Sequence, residues 1–414
     1  MRVKKSHFVN MALAVVSTLA AYIVLEWLVY PALLPNLPLR LHQYTGDLYV
    51  LAQSSKAGTV PKDYIAVVGD SYAKGNGDWL LEADPSGNGP FHSLHVLNEL
   101  SGRDVLTFGT TNTGSLKGMV TSPLSQFSAV QGSPWYALDP PQQIVVYVYE
   151  GNDFTDNIRD LRRLRRRGEN PAASPDAAAI EAFVARQARQ AANASPARAP
   201  VLSFAGNAIA GGYQTVAEML GLREPPSNKW AELPTGDGAP PPPPTVALIG
   251  GERQTLPAYL QSASLELTEA ELDLAIQVMR VSMAAMRDAW PRADLAVVYI
   301  PSPLSAYDLQ STTVSTQSYL KRETIFPTAV AMRRSDRLCR ATGEVAAALG
   351  AAFFDARPAI RAVAGQRLIH GPRDWKHFNR AGHTALGRAV NGLLADGPSD
   401  GGRCATLPVP PLAG

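Results

Sequence analysis

The sequence predicts an α/β fold: a parallel sheet with helices on both faces, preceded by one membrane-spanning helix. Three observations predict it. Short apolar runs, the first of them rich in β-branched residues, recur at 64–68, 104–109, 143–153, 294–303 and 351–356, as expected of strands buried on both faces. Helical patterns lie between the later runs, and strands alternating with helices form a parallel sheet covered on both sides. A long apolar stretch near the N-terminus stands apart from all that follows.

That first stretch runs from Phe8 to about Leu34, behind Arg2, Lys4 and Lys5 and interrupted by Asn10, Ser17, Thr18 and Glu26. About 20 residues span a bilayer. Trp27 and Tyr30 stand at the interfacial end, and Pro31 and Pro35 end the helix. A cleavable signal peptide is the rival, but it would have a shorter apolar region and a small-x-small site. Here the apolar character continues through "YIVLEWLVY". The expectation is a single-pass signal anchor over 8–30 in the cell inner membrane. Residues 1–7 then lie in the cytoplasm, and the rest faces the periplasm or exterior.

A connecting segment (31–62) leads into the main domain (63–396). "YIAVV" is its first strand. The helical spacing of "PFHSLHVLNELSG" ends at Gly102, and "DVLTFG" and "QIVVYVYEGND" are the second and third strands. The rhythm then breaks over 155–264. This stretch holds an arginine run (Arg159, Arg162, Arg163, Arg165, Arg166, Arg167), an Ala-rich part and a Pro-rich 239–244. It reads as an insertion, part helix and part extended linker. The arginines suit either an anionic polymer or lipid surface or a solvated helix face opposite acidic neighbours. A helix to about Trp290 opens with the capping-box pair Thr268 and Glu271. "DLAVVYIPSP" and "AAFFDA" are the last two strands, with helices at 326–350 and 379–396 and Asn379 as N-cap of the latter. Residues 397–414 form a tail.

The 414 residues suffice for a sizeable core. A net charge of +2 argues against a nucleic-acid partner. Cys339 and Cys404 lack zinc-type spacing. A disulfide, natural in an oxidising compartment, and two free thiols both stay open. His92, His95 and His370 offer no metal pattern, and no metal or organic cofactor is expected.

Four separated blocks carry chemistry. Gly69-Asp70-Ser71 follows the first strand and places a serine at the C-terminal edge of the sheet, where parallel sheets carry their sites. "TFGTTNTGS" follows the second strand, with Gly114 able to bring a backbone N–H close to an oxyanion and Gly109 as competitor. Asn152 and Asp153 follow the third, and the Asn152 amide is a polar donor that never ionises. In "DWKHFNRAGH", Asp374 stands three residues before His377, close enough to orient the imidazole while leaving its other nitrogen free to take a serine proton. Taken singly, each has a plain structural reading: Ser71 as a cap, Asn152 as a cap, Asp374 as a turn residue, His377 as a surface histidine. Their joint order satisfies the requirements of acyl transfer.

This set resembles the SGNH hydrolases, the GDSL esterase and lipase family, over roughly 64–153 and 293–395. The resemblance implies a three-layer α/β/α flavodoxin-like fold and a Ser71–His377–Asp374 triad. It implies an oxyanion hole built from the N–H groups of Ser71 and Gly114 and the side chain of Asn152. One departure is that Glu150 stands where the third block usually begins with Gly. Asp70, Asp153 and Trp79 are expected to support the site or line it. The expected activity is cleavage of acyl esters, acetyl among them, on envelope carbohydrate or lipid. The alternatives are an O-acyltransferase acting on an extracytoplasmic polysaccharide and a non-catalytic, membrane-anchored binding or assembly factor.

Overall fold

A computed structural model describes residues 5–37, 39–42, 44–77, 92–132, 136–166, 177–195, 199–220, 222, 242–397 and 402–408. The five apolar runs become β1 (Tyr64–Val68), β2 (Asp104–Thr107), β3 (Gln143–Tyr149), β6 (Asp294–Ile300) and β10 (Ala352–Asp355). The shorter strands β4 (Thr245–Ile249), β5 (Glu252–Leu256), β7 (Asp308–Leu309), β8 (Thr313–Ser315) and β9 (Ile325–Pro327) lie outside that sheet. The central sheet is parallel throughout, in the order β10-β6-β3-β1-β2. The chain leaves β1 for one side and returns for β3 on the other. The order therefore reverses between these two neighbours, and the crevice at their C-terminal ends is the natural place for a ligand.

Both faces of the sheet are covered. Ala66 and Val68 on β1 pack into one apolar cluster, and Ile65 and Val67 into the other, as the two-residue alternation of a strand requires. The helices are α1 (Lys5–Val24), α2 (Ser71–Lys74), α3 (Ser93–Ser101), α4 (Ser122–Gln131), α5 (Asp153–Arg166), α6 (Ala177–Ala192), α7 (Pro200–Met219), α8 (Glu269–Ala289), α9 (Thr328–Ala348), α10 (Arg357–Ala364) and α11 (Arg380–Asp396). Phe127 of α4, Ile158 of α5, Phe183 of α6 and Leu272 of α8 belong to the first cluster; Leu97 of α3, Ile360 of α10 and Leu386 of α11 belong to the second. The capping box of Thr268 and Glu271 forms at the start of α8, and Asn379 caps α11.

The stretch expected as an insertion is partly core. α5 starts at Asp153, and with α6 it buries Ile158, Leu161, Ile180, Phe183 and Val184 in the first cluster. Polar residues dominate the outer face of α5, and the alanines of α6 hide its narrow stripe of Ile180, Phe183 and Val184. The antiparallel β4–β5 hairpin was not read from sequence. Its signal is Gly250-Gly251, both at positive φ, the preferred chemistry of a two-residue hairpin turn. The Pro-rich run before Pro242 lies outside the described residues. Arg159, Arg162 and Arg163 pair with Asp156, Glu271 and Asp160, so this part of the arginine run faces acidic neighbours; Arg167 lies outside the described residues.

At the N-terminus, His7–Asn36 is long and apolar enough to cross a membrane. The Ser17 and Thr18 hydroxyls donate to the carbonyls of Leu13 and Ala14, each at 2.8 Å, which satisfies them within the helix. Cys339 and Cys404 form a disulfide that ties the tail to α9. Asp355 reinforces the tie by accepting the Ala405 N–H at 3.0 Å.

Candidate active site

The site begins where β1 ends. Gly69 sits at φ +145°, and a Cβ there would stand 2.7 Å from the Tyr147 carbonyl oxygen of β3. Glycine therefore lets the turn press against the neighbouring strand. Asp70 caps α2 by accepting the Tyr72 N–H at 2.9 Å. Ser71 opens α2 and is almost buried at 6% exposure.

The structure brings three of the separated residues together. His377 Nε2 lies 2.9 Å from Ser71 Oγ, and His377 Nδ1 lies 2.6 Å from Asp374 Oδ2. Asp374 also accepts the backbone N–H groups of Lys376 (2.9 Å) and His377 (3.2 Å), so the short loop closes around its own carboxylate. Burial pushes the Asp374 carboxyl up. The His377 hydrogen bond and charge, with the two backbone donors, outweigh burial and hold it below the usual carboxylate range. An ionised Asp374 keeps the hydrogen on Nδ1 and leaves Nε2 to accept from serine.

Asp70 is a second neighbour of the serine, with Oδ2 at 3.1 Å from Ser71 Oγ. Burial raises its carboxyl above the usual range. Asp153 is also buried and raised, first by desolvation and then by the Asp70 charge, and it accepts the Tyr149 N–H at 2.9 Å. Asp70 thus fixes the start of α2 and Asp153 the end of β3.

The expected oxyanion donors divide. Asn152 Nδ2 donates to Asp156 Oδ2 at 2.8 Å. That bond orients the amide and leaves its second N–H for another acceptor. Gly114 is different. A Cβ at Gly114 would meet Asn157 Oδ1 at 2.3 Å and the Asn157 backbone nitrogen at 2.6 Å. This glycine is needed because the loop packs directly on α5. The competitor Gly109 donates to Thr107 Oγ1 at 2.9 Å. Trp79 lies outside the described residues.

Several residues that the sequence did not single out complete the site. The Tyr72 hydroxyl donates to the Lys376 carbonyl at 2.8 Å, and Tyr149 reaches the same oxygen at 3.2 Å and Gln261 Oε1 at 2.6 Å. The Tyr72 ring lies between Tyr149 (centroids 4.1 Å apart) and Phe378 (5.0 Å, edge-on). The adjacency of Tyr72 to Ser71 was a usable signal; nothing local marked Gln261. Glu150, the departure from the family block, is fully buried. It accepts from Tyr299 Oη (2.5 Å), Ser302 N (2.9 Å), Ser302 Oγ (2.7 Å), Ser335 Oγ (2.6 Å) and Ser305 Oγ. The carboxylate thereby ties the end of β3 to the end of β6 and to α9.

Comparison with family models, with curated proteins and with solved structures gave no match. The fold and site by themselves define an α/β chain with a serine–histidine–aspartate arrangement at the C-terminal edge of a parallel sheet.

Proposed function

We propose that this chain is a membrane-anchored serine esterase of the SGNH hydrolase type, acting on acyl esters of envelope carbohydrate or lipid. The observation that carries the proposal is the continuous hydrogen-bonded series Ser71 Oγ–His377–Asp374. The central strand order supports the flavodoxin-like reading of the fold. The apolar His7–Asn36 helix supports the anchor. The Arg2, Lys4 and Lys5 flank and the Cys339–Cys404 disulfide support a domain outside the cytoplasm.

In this mechanism Ser71 Oγ attacks the ester carbonyl carbon as its proton passes to His377 Nε2. The carbonyl π electrons move onto oxygen, where the Ser71 N–H and the second Asn152 N–H stabilise them. Collapse breaks the bond to the alcohol oxygen, which leaves with the proton from Nε2. Water then repeats the sequence on the acyl-serine and releases the acid.

The test uses the full chain in detergent micelles with 4-nitrophenyl acetate, comparing wild type with Ser71→Ala. The expected result is turnover by wild type and none above background by the variant. Equal rates overturn the proposal.

A further inference from the structure

Exposed large apolar side chains are unevenly distributed over the described residues. They lie on the anchor helix, on α7 and the two residues Leu220 and Leu222 that follow it, and otherwise only at Leu100, Ile325 and Leu368. On α7 the exposure is high: Leu202 is 61% exposed, Ile209 74%, Tyr213 75% and Val216 52%, with Leu220 at 68% just beyond. At about 100° per residue, these five fall within an arc of about 60°. They form one stripe along the helix. Pro200 to Ala217 contains no charged residue, and Glu218 near the end of α7 stands about 160° around the helix from Leu202, so the stripe itself is uncharged. Patches of this kind on a folded surface mark interaction sites.

The opposite face of α7 shows where this stripe lies. Phe204 packs on Tyr30 (centroids 5.7 Å apart) and on Tyr44 (6.3 Å, edge-on). A Cβ at Gly211 would meet the Tyr44 ring at 2.5 Å, so α7 rests closely on this segment. Glu26 is buried, and its Oε2 accepts the Val201 N–H at 3.2 Å. An acid inside the apolar helix thus serves one of the donors left open at the start of α7. The anchor and α7 are therefore joined at residues 26–30. At 1.5 Å per residue, Tyr30 stands roughly 35 Å along the helix from His7, just past a hydrocarbon core of about 30 Å. α7 meets the anchor at the depth of the membrane interface.

We propose that α7 seats its Leu202–Leu220 stripe in the lipid interface beside the anchor, so that the domain docks on the bilayer instead of hanging from a tether. The occupant is lipid because α7 packs directly on the apolar span at residues 26–30, and the stripe on its outer face is uncharged and carries a tyrosine suited to the headgroup boundary. The inference rests on the anchor reading above, and the test separates the two.

Both native cysteines are in the disulfide, so an introduced cysteine is the sole free thiol. The full chain, as Ile209→Cys, Ile23→Cys or Arg253→Cys, is labelled with an environment-sensitive nitrobenzoxadiazole dye. It is then reconstituted into phosphatidylethanolamine–phosphatidylglycerol vesicles. Ile23 reports the anchor, and Arg253 on exposed β5 reports water. The expected result is that the Ile209 label matches Ile23: blue-shifted, losing most of its emission to doxyl lipids and little to iodide present on both sides. The Arg253 label does the reverse. If the Ile209 label follows Arg253 while Ile23 is lipid-quenched, the anchor stands and the docking of α7 is overturned. If iodide also quenches Ile23, the anchor reading fails and the proposal with it. A blue-shifted Ile209 label that neither quencher reaches places a protein surface, a second copy included, on the stripe and also overturns lipid docking.

Discussion

The Tyr72 hydroxyl donates to the carbonyl oxygen of Lys376 at 2.8 Å, tying the residue after Ser71 to the residue before His377. These residues are 304 apart in sequence, so this bond helps set the spacing of Ser71 and His377, the nucleophile and base of the proposed mechanism. Burial keeps the phenol neutral and a donor. Tyr72→Phe removes the bond but keeps the ring between Tyr149 and Phe378. A neutral hydrogen bond contributes about 1 kcal/mol, so kcat is expected to fall by up to about tenfold with KM and thermal midpoint little changed. A fall in thermal midpoint without a change in kcat would assign Tyr72 to packing alone.

Asn152 and Asp156 form the second working pair. Loss of one oxyanion donor lowers kcat by roughly 10²–10³-fold, and this is expected for Asn152→Ala. Asp156 orients that amide through Oδ2 while its Oδ1 pairs with Arg159, so Asp156→Asn should have a smaller effect of the same kind on kcat. Its effect should largely vanish in the Asn152→Ala background. Steady-state kinetics on the two single variants and the double variant give the coupling directly.

Glu150 answers only to donors. Glu150→Gln places an N–H₂ group where an oxygen accepted, facing hydroxyls and an N–H inside the protein. Leaving a buried hydrogen-bonded charge network unsatisfied costs about 3 kcal/mol or more. A lower urea midpoint at unchanged m-value is expected. Activity should fall as well, because Asn152 stands two residues beyond Glu150 on the same turn.

Burial pushes the His383 imidazole down to about 4, against the hydrogen bond to the Asn76 carbonyl, which favours the charged form. The unfolded chain therefore takes up the proton first on acidification. Stability is fully present above about pH 6.5 and is lost as pH falls toward 4. His383→Gln has no such loss. Denaturation of wild type and variant across this window should show wild type losing its advantage by about 3 kcal/mol at most. Raised carboxyls such as Asp70 act in the opposite direction in both proteins and cancel in the difference.

Much of the frame was legible in the chain. Apolar runs marked all five central strands, because burial on both faces leaves little room for polar residues. Thr268 and Asn379 announced their helices because capping is local. The Gly-Asp-Ser, Asn-Asp and Asp-x-x-His blocks were legible because each lies at the end of such an element. α5 and α6 read as insertion because the inner stripe of α5 is narrow beneath a polar face, and alanine fills most of the apolar positions of α6. Gln261 carried no local mark, since its role comes only from meeting Tyr149 and Tyr319.

Local order thus determined the five central strands, most of the helices, the apolar N-terminal span and the order of the candidate site residues. Commitments between distant groups were decided only by the tertiary structure. It gave the Gly109 N–H to Thr107 and packed the Gly114 loop against Asn157 of α5, and it turned Glu150 from a broken motif position into the tie between two strand ends. It also paired Cys339 with Cys404 and left one face of α7 bare while packing the other on the apolar N-terminal helix. Hydrogen bonds and burial are satisfied in space, and a spacing along the chain cannot show which partner a donor will meet.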